Sequence, residues 1–327
     1  MNATMLPLLL TLVAATVSAQ TPINQTRAVN ADARIEVANI KGSVTVTGWD
    51  RAEVAIGGTL GSGSKALSIE GDASHLQIKV EAPERGWLDW GADTRMGDTV
   101  LELKVPRGAA LAIDTVSADV ELDGVAGNAL KVHTVSGKSR LDSGAARVDI
   151  DSVSGDVDLT AKAARADLET VSGNIRARGL GGEIELQTVS GNIDADTAAY
   201  RKLDAQTVSG DIRLRGTPAD GAVVAVESMS GDVHLGLPAT VSARLRASTF
   251  SGRIRSDFGD GAASRDKRLE AVRAGRKPIV GTTLYPLKTE RPVNVLRAER
   301  RSGPADGAVF CEPLPAVRLD ENLEAPA

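Results

Sequence analysis

Arg147-Val148-Asp149-Ile150-Asp151-Ser152-Val153-Ser154-Gly155-Asp156-Val157-Asp158-Leu159-Thr160 is the stretch whose reading decides the fold. Before the central Ser-Val-Ser-Gly, Val148 and Ile150 alternate with Arg147, Asp149 and Asp151. After it, Val157 and Leu159 alternate with Asp156, Asp158 and Thr160. Period-two patterning on both sides of a turn signal describes two short strands joined at a corner.

The corner recurs, mostly as Thr-Val-Ser-Gly. Its serine falls at Ser117 (followed by Ala118), Ser136, Ser154, Ser172, Ser190, Ser209, Ser230 and Ser251, at spacings of 19, 18, 18, 18, 19, 21 and 21 residues. A fixed period of this length marks one supersecondary unit stacked on copies of itself. The flanking apolar positions recur with it: Leu130 and Val132, Ile184 and Leu186, or Val224 and Val226 before a corner, and Ile175, Ile193, Ile212 and Val233 after one. Glycine can take positive φ without steric cost, serine can bond nearby backbone, and the Asp or Asn that often follows tolerates left-handed conformations. Ser136, Gly137, Ser154, Gly155, Ser172, Gly173, Ser190, Gly191, Ser209, Gly210, Ser230 and Gly231 therefore read as structural corners.

Consecutive hairpins in an antiparallel meander and the coils of a β-solenoid both satisfy the pattern. The solenoid is favoured because the whole unit recurs, turn included, whereas a meander has no reason to keep every second turn identical. The expected fold is all-β: a β-solenoid or β-helix-like stack of two-strand repeats of 18 to 21 residues, with an irregular N-terminal β segment. One layer cannot close its own core, so stability has to come from neighbours and the ends need caps.

Residues 1–19 read as a secretory signal peptide, with Leu8 to Ala15 as the apolar run and Val17-Ser18-Ala19 as the small-x-small cleavage site before Gln20. That run is too short for a spanning helix of about 20 residues. The mature protein is expected to be exported to the periplasm or cell surface and not to span the membrane after signal cleavage. Residues 20–33 form a polar lead-in, 34–108 an N-terminal β segment and cap, 109–258 the repeats, and 259–327 an irregular extension. Within that extension a short helix is expected over about 266–274, because Leu269 and Val272 lie three apart, with little order beyond it. The loop holding Trp87, Trp90 and Met96 is the most distinctive non-repetitive segment and a candidate interaction loop, the alternative being that it covers an open end of the core.

Aromatics at 2% and a formal charge of −5 argue against nucleic acid as a partner, since there is little to stack on bases and no basic surface for phosphates. Cys311 is the only cysteine, so no intramolecular disulfide can form.

Three blocks carry a family resemblance: Ile40-Lys41-Gly42-Ser43-Val44-Thr45-Val46-Thr47-Gly48-Trp49-Asp50; Leu103 to Gly108 leading into Thr115-Val116-Ser117-Ala118-Asp119-Val120; and the repeated Val-Ser-Gly-Asp/Asn-Ile/Val. Over residues 34 to 258 the chain resembles the bacterial "putative adhesin" family, DUF4097. The resemblance implies a β-helical, exported or envelope-associated domain and brings no catalytic residues with it.

Carboxylates are plentiful at Asp156, Asp158, Asp194, Asp196, Asp211 and Asp232, but glycoside hydrolysis needs a pair at a set separation in a sugar-binding groove. Their place beside the corners points to turn geometry instead. His75, His133 and His234 sit in unrelated contexts and build neither a zinc spacing nor a Ser/His/Asp arrangement. No catalytic, cofactor-binding or metal-binding residue is expected. The reading is an exported, non-enzymatic solenoid presenting a surface to an envelope component or another protein; the alternative is a carbohydrate-active β-helix enzyme.

Overall fold

A computed structural model describes residues 21–82, 96–238, 240–241, 243–249, 253–255, 268–273, 282–285 and 294–300. The N-terminal strands are β1 (Thr21–Ala28), β2 (Arg34–Trp49), β3 (Glu53–Leu60), β4 (Ala66–Gly71), β5 (His75–Glu81) and β6 (Thr99–Pro106). The repeats supply β7 (Ala110–Val125), β8 (Ala129–Ser136), β9 (Ser139–Ser143), β10 (Arg147–Ser152), β11 (Val157–Ala161), β12 (Arg165–Thr170), β13 (Ile175–Arg178), β14 (Gly182–Ser190), β15 (Ile193–Ser209), β16 (Ile212–Ser230) and β17 (Val233–Gly236). The C-terminal strands are β18 (Ala243–Ser248), β19 (Arg253–Arg255), β20 (Arg268–Arg273), β21 (Thr282–Tyr285) and β22 (Asn294–Arg300).

The coils stack in parallel, as a solenoid and not as a meander. β10 lies between β8 and β12, so that Ile150 sits between Val132 and Leu168. β11 lies between β9 and β13, so that Leu159 sits between Leu141 and Ala177. Strands before the corners make one stack, strands after them a second, and the long β7, β15 and β16 contribute a half to each. Inward positions of both stacks join one continuous aliphatic core. The longer spacings are absorbed away from the Ser-Gly corners: the two 19-residue spacings in register shifts between Asp123 and Val125 and between Gly182 and Glu183, and the 21-residue spacing from Ser209 to Ser230 between Asp196 and Ala199 and between Tyr200 and Lys202.

The corner glycines owe their place mainly to crowding. A Cβ on Gly155 would overlap the carbonyl oxygen of Gly137, one on Gly173 that of Gly155, and one on Gly191 that of Gly173. φ is positive at Gly137 but not at Gly155, Gly173 or Gly191. Left-handed geometry is therefore not what selects glycine at those three corners; the backbone of the layer beneath occupies the space of a side chain.

The Asp or Asn after the glycine also does more than tolerate a turn. Asp156 Oδ1 accepts from the backbone N–H of Asn174 at 3.0 Å, Asn174 Oδ1 from that of Asn192 at 3.0 Å, Asn192 Oδ1 from that of Asp211 at 2.8 Å, and Asp211 Oδ1 from that of Asp232 at 3.0 Å. Each side chain satisfies a donor one layer further on.

The N-terminal segment begins the same stack. β2 pairs in parallel with β7, placing Asn39 against Thr115, Lys41 against Ser117 and Gly42 against Ala118. Ala38-Asn39-Ile40-Lys41-Gly42 is thus a degenerate first corner, with Asn39 buried and its Nδ2 donating to the Thr99 carbonyl at 3.2 Å. On its other side β2 pairs in parallel with β5 and β6, and beyond these the pairing turns antiparallel, in β4 with β5, β3 with β6, and β1 with β3.

The C-terminal region corrects the expectation of a helix over 266–274, because Arg268–Arg273 is a strand paired antiparallel with β18. Leu269 and Val272 suit a helical face in isolation, but the open backbone of β18 offers a full ladder of hydrogen bonds, which a one-face helix with no partner does not match. The eighth copy also departs from the simple stack: β22 lies antiparallel between β16 and β18, and β21 between β17 and β19.

Gly173→Ala is expected to destabilise the protein by about 1–3 kcal/mol or more, since backbone cannot give way as a side chain can, whereas Ser172→Ala on the exposed side stays within about 0.5 kcal/mol. Denaturant melts of the two variants measure the difference.

Candidate interaction groove

Along β10 the inward positions are Val148, Ile150 and Ser152; then Val153 and Ser154 are both exposed, and Gly155 is buried again. Two consecutive outward residues carry the chain around the corner. Because every coil does this at the same place, the valines form a column: Val116, Val135, Val153, Val171, Val189 and Val208 are 44–50% exposed, and Met229 is 37% exposed. Beside it runs a serine ladder, in which Ser117 and Ser136 share a 3.0 Å hydrogen bond between hydroxyls.

The apolar column lines a groove of about 1280 Å³ that runs across the layers from Ile40 to Met229. Its inner edge is the column of Thr115, Thr134, Ser152, Thr170, Thr188, Thr207 and Ser228. Part of this hydroxyl column is spent on the corners: Thr188 donates to the Gly173 carbonyl at 3.3 Å and Thr207 to the Gly191 carbonyl at 3.3 Å. The outer edge is the next outward column, Asp114, His133, Asp151, Glu169, Gln187, Gln206 and Glu227. Lys65, Lys79 and Glu81 stand at the N-terminal mouth.

Beyond that edge lies a second column running Lys131, Asp149, Asp167, Glu185 and Asp204. Lys131 pairs with Asp149 at 3.4 Å and His133 with Asp151 at 2.7 Å. Among the described residues no cation lies within ion-pair distance of Asp114, Asp167, Glu169, Asp204 or Glu227. Burial and like charge act together on two of these acids. Desolvation raises the Asp167 pKa above its usual value, with Glu185 and Asp149 adding to it and Arg165 partly opposing; Glu169 is raised by desolvation, then by Asp167, Asp151, Glu185 and Asp149.

The opposite stack is arranged otherwise. Down its first outward column the side chains read Glu121, Arg140, Asp158, Arg176, Asp194 and Arg213, alternating in sign layer by layer. Ion pairs cross the layers there, Arg178 to Asp158 at 3.4 Å and Arg215 to Asp196 at 3.1 Å. The opposite face alternates in sign from layer to layer, while beside the groove the ion pairs of Lys131 with Asp149, His133 with Asp151 and Arg165 with Glu183 leave Asp167, Glu169 and Asp204 without a cation among the described residues.

Of the residues singled out from sequence, the Ser-Gly corners stand in register on the far side of the valine column from the acids. Met96 is half-buried at the first corner, where its carbonyl accepts from Lys41 Nζ at 3.3 Å. Trp87 and Trp90 lie outside the described residues. Four of the six carboxylates weighed for hydrolysis are engaged in structure: Asp156 and Asp211 accept backbone N–H groups, and Asp158 and Asp196 hold arginines. Among the described residues no cluster of His, Cys, Asp or Glu is disposed to hold a metal ion. The valine column was missed in sequence, although its signal was there: an apolar residue repeated at a position directly after an inward Thr or Ser, where alternation requires it to face out.

The profile of the Toastrack DUF4097 family matches residues 26–215 and 181–278. No curated protein matches the chain. Among solved structures, a "putative cell adhesion protein" from Clostridium sporogenes is similar at 11% identity with a TM-score of 0.28, covering 64% of this chain and 100% of that one. A "putative adhesin" from Parabacteroides merdae is similar at 13% identity with a TM-score of 0.33, over 65% of this chain and 95% of that one. A "putative lipid binding protein" from Parabacteroides distasonis is similar at 12% identity with a TM-score of 0.28, over 66% and 92%.

Raised acid pKa values mean that the folded state binds protons more readily than the unfolded chain, so these groups cost stability as pH rises through their folded values. The double variant Asp167→Asn/Glu169→Gln should therefore melt higher than the parent at pH 7, by about 1–3 °C for such solvent-screened groups. The advantage should vanish below the ordinary aspartate value of 3.8, where both acids are protonated in either state. Thermal melts across that range measure it.

Proposed function

We propose that this chain, which belongs to the Toastrack DUF4097 family, is an exported, non-enzymatic, adhesin-like module that works by holding one side of its solenoid against an envelope component or another protein. The observation that carries this reading is the valine column. Isolated exposed aliphatics are ordinary, but a contiguous apolar stripe rimmed by polar groups marks an interaction surface. A structural role does not account for it, because the corner needs only a residue that faces out, and a polar β-branched threonine would serve the backbone equally well.

Export rests on the N-terminal pattern, in which Val17-Ser18-Ala19 precedes Gln20. The non-enzymatic reading is supported by the engagement of four corner carboxylates, Asp156, Asp158, Asp196 and Asp211, in backbone and arginine contacts, since glycoside hydrolysis needs a pair of carboxyl groups placed to flank the bond.

Two measurements test the proposal. N-terminal sequencing of the protein recovered from the cell envelope should begin at Gln20, and recovery of uncleaved protein in the cytoplasm would overturn export. Photo-crosslinking side chains placed singly at position 171 in the groove and at position 176 on the sign-alternating face should give adducts in cells at 171 alone. Equal labelling at both sites, or none at 171, would remove the groove as the working surface.

A further inference from the structure

We infer that the groove's occupant is a cationic, amphipathic polypeptide segment lying along the solenoid axis, an inference that rests on the groove being the working surface. The apolar floor sets one requirement and the uncompensated acids set the other. Val153, Val171 and Val189 offer a strip of aliphatic surface to apolar side chains, while Glu169 at the edge and Asp167 and Glu185 behind it face ammonium or guanidinium groups on the same segment. Anionic occupants, whether acidic saccharide or the headgroups of acidic lipids, meet the same field with the wrong sign.

The opposite face shows that this charge pattern is not a by-product of the fold. Both stacks present outward columns from the same repeats, yet one alternates Arg with Asp or Glu between layers and the other sets Asp149, Asp167, Glu185 and Asp204 in succession. Like charges directly opposite on neighbouring strands are destabilising. A surface that retains them beside an exposed apolar strip gains when a partner supplies the counter-charges.

The dimensions argue for tolerance of sequence. Layers repeat about every 4.8 Å, so the strip from Val116 to Met229 runs roughly 29 Å. An extended segment presents same-face side chains about every 6.7 Å, and a helix turns about every 5.4 Å. Neither period matches the valines, so no single side chain keys into each layer. Recognition follows composition, apolar along one side and basic along the other, and a helix of about 20 residues or nine extended residues covers the strip.

Lys65 and Lys79 at the N-terminal mouth break the acidic field at that end, so the basic part of the occupant lies over the middle and C-terminal layers.

The test uses the full chain and three synthetic 18-residue peptides of alternating pattern, Lys-Leu, Glu-Leu and Gln-Leu, each with a fluorophore, titrated by fluorescence anisotropy at low and high salt. The Lys-Leu peptide is expected to bind tightest and to weaken with salt. The triple variant Val153→Thr/Val171→Thr/Val189→Thr, which keeps β-branched residues at exposed positions, should weaken it about thirtyfold. The variant Asp167→Asn/Glu169→Gln/Glu185→Gln should weaken it about tenfold and flatten the salt dependence. Circular dichroism confirms that each variant keeps the parent's strand content.

If the Gln-Leu or Glu-Leu peptide binds as tightly as Lys-Leu and the valine variant weakens it, the groove binds but its preference is not cationic, and this inference falls alone. If no peptide binds, or the valine variant binds Lys-Leu as the parent does, the groove itself is not the docking surface and both readings fall. An occupant from within the chain, such as a neighbouring segment already seated on the valines, gives this last outcome.

Discussion

Close approach of backbone to backbone at the Ser-Gly corner is the constraint on which the rest of the structure depends. Gly173 has no room for a Cβ because the carbonyl of Gly155 stands there, and Gly191 meets Gly173 in the same way. That proximity is what lets Asn174 reach the backbone of the next layer and accept its N–H, and lets Thr188 donate to the Gly173 carbonyl. Every layer is thereby registered on the one beneath at the point where the chain changes direction. Once the corner is in register, the strands on either side have no freedom to slip, since a shift of one residue would turn the aliphatic positions outward along the whole strand.

In-register stacking has a consequence for the surface. Whatever side chain occupies an outward position is laid directly over its equivalent in the neighbouring coils, so that small differences in the repeat become long stripes. Alternating Asp and Arg produces a neutral ladder, repeated Asp and Glu an acidic one, and repeated valine an apolar strip. The solenoid therefore separates stability from surface chemistry. Its core and corners are carried by inward aliphatics, glycine and hydroxyls, while the outward columns vary independently and can be assigned to recognition without disturbing the fold.

The register and the core were legible because both follow from periodicity. Val148, Ile150, Val157 and Leu159 announce their direction through alternation, and the recurrence of Ser-Gly announces that one coil lies on another. The groove was harder to read. Alternation predicts parity within a strand, but Val153 and Ser154 both face out, and the parity restarts at Gly155. Counted one strand at a time, a recurrent valine passes for core. The reason for glycine was also only half legible, because a sequence shows local conformational demands and not the carbonyl of a residue 18 positions earlier. Asn39 was hidden for a related reason: it replaces the buried Thr of the other corners while making its own bond to the Thr99 carbonyl, and only the pairing of β2 with β7 reveals the equivalence.

Both ends of the stack resolve a problem that the repeat creates. A parallel, in-register ladder ends in a row of unpaired N–H and C=O groups shaped to receive another copy of itself, and an exposed edge of that kind templates aggregation. Reversing the strand direction changes the hydrogen-bond pattern, so an identical coil no longer finds its own geometry on the final strand. At the N-terminal end this is done by β5 with β4 and by β6 with β3 and then β1. At the other end β22 lies antiparallel on β16, and β21 on β17, before the last copy of the repeat is reached. The eighth corner sequence, which taken alone invites one more parallel layer, is thus set apart from the stack by strands that carry no trace of the repeat. Irregular sequence at both termini is what a regular interior requires, because only a segment outside the period can bring the period to a stop.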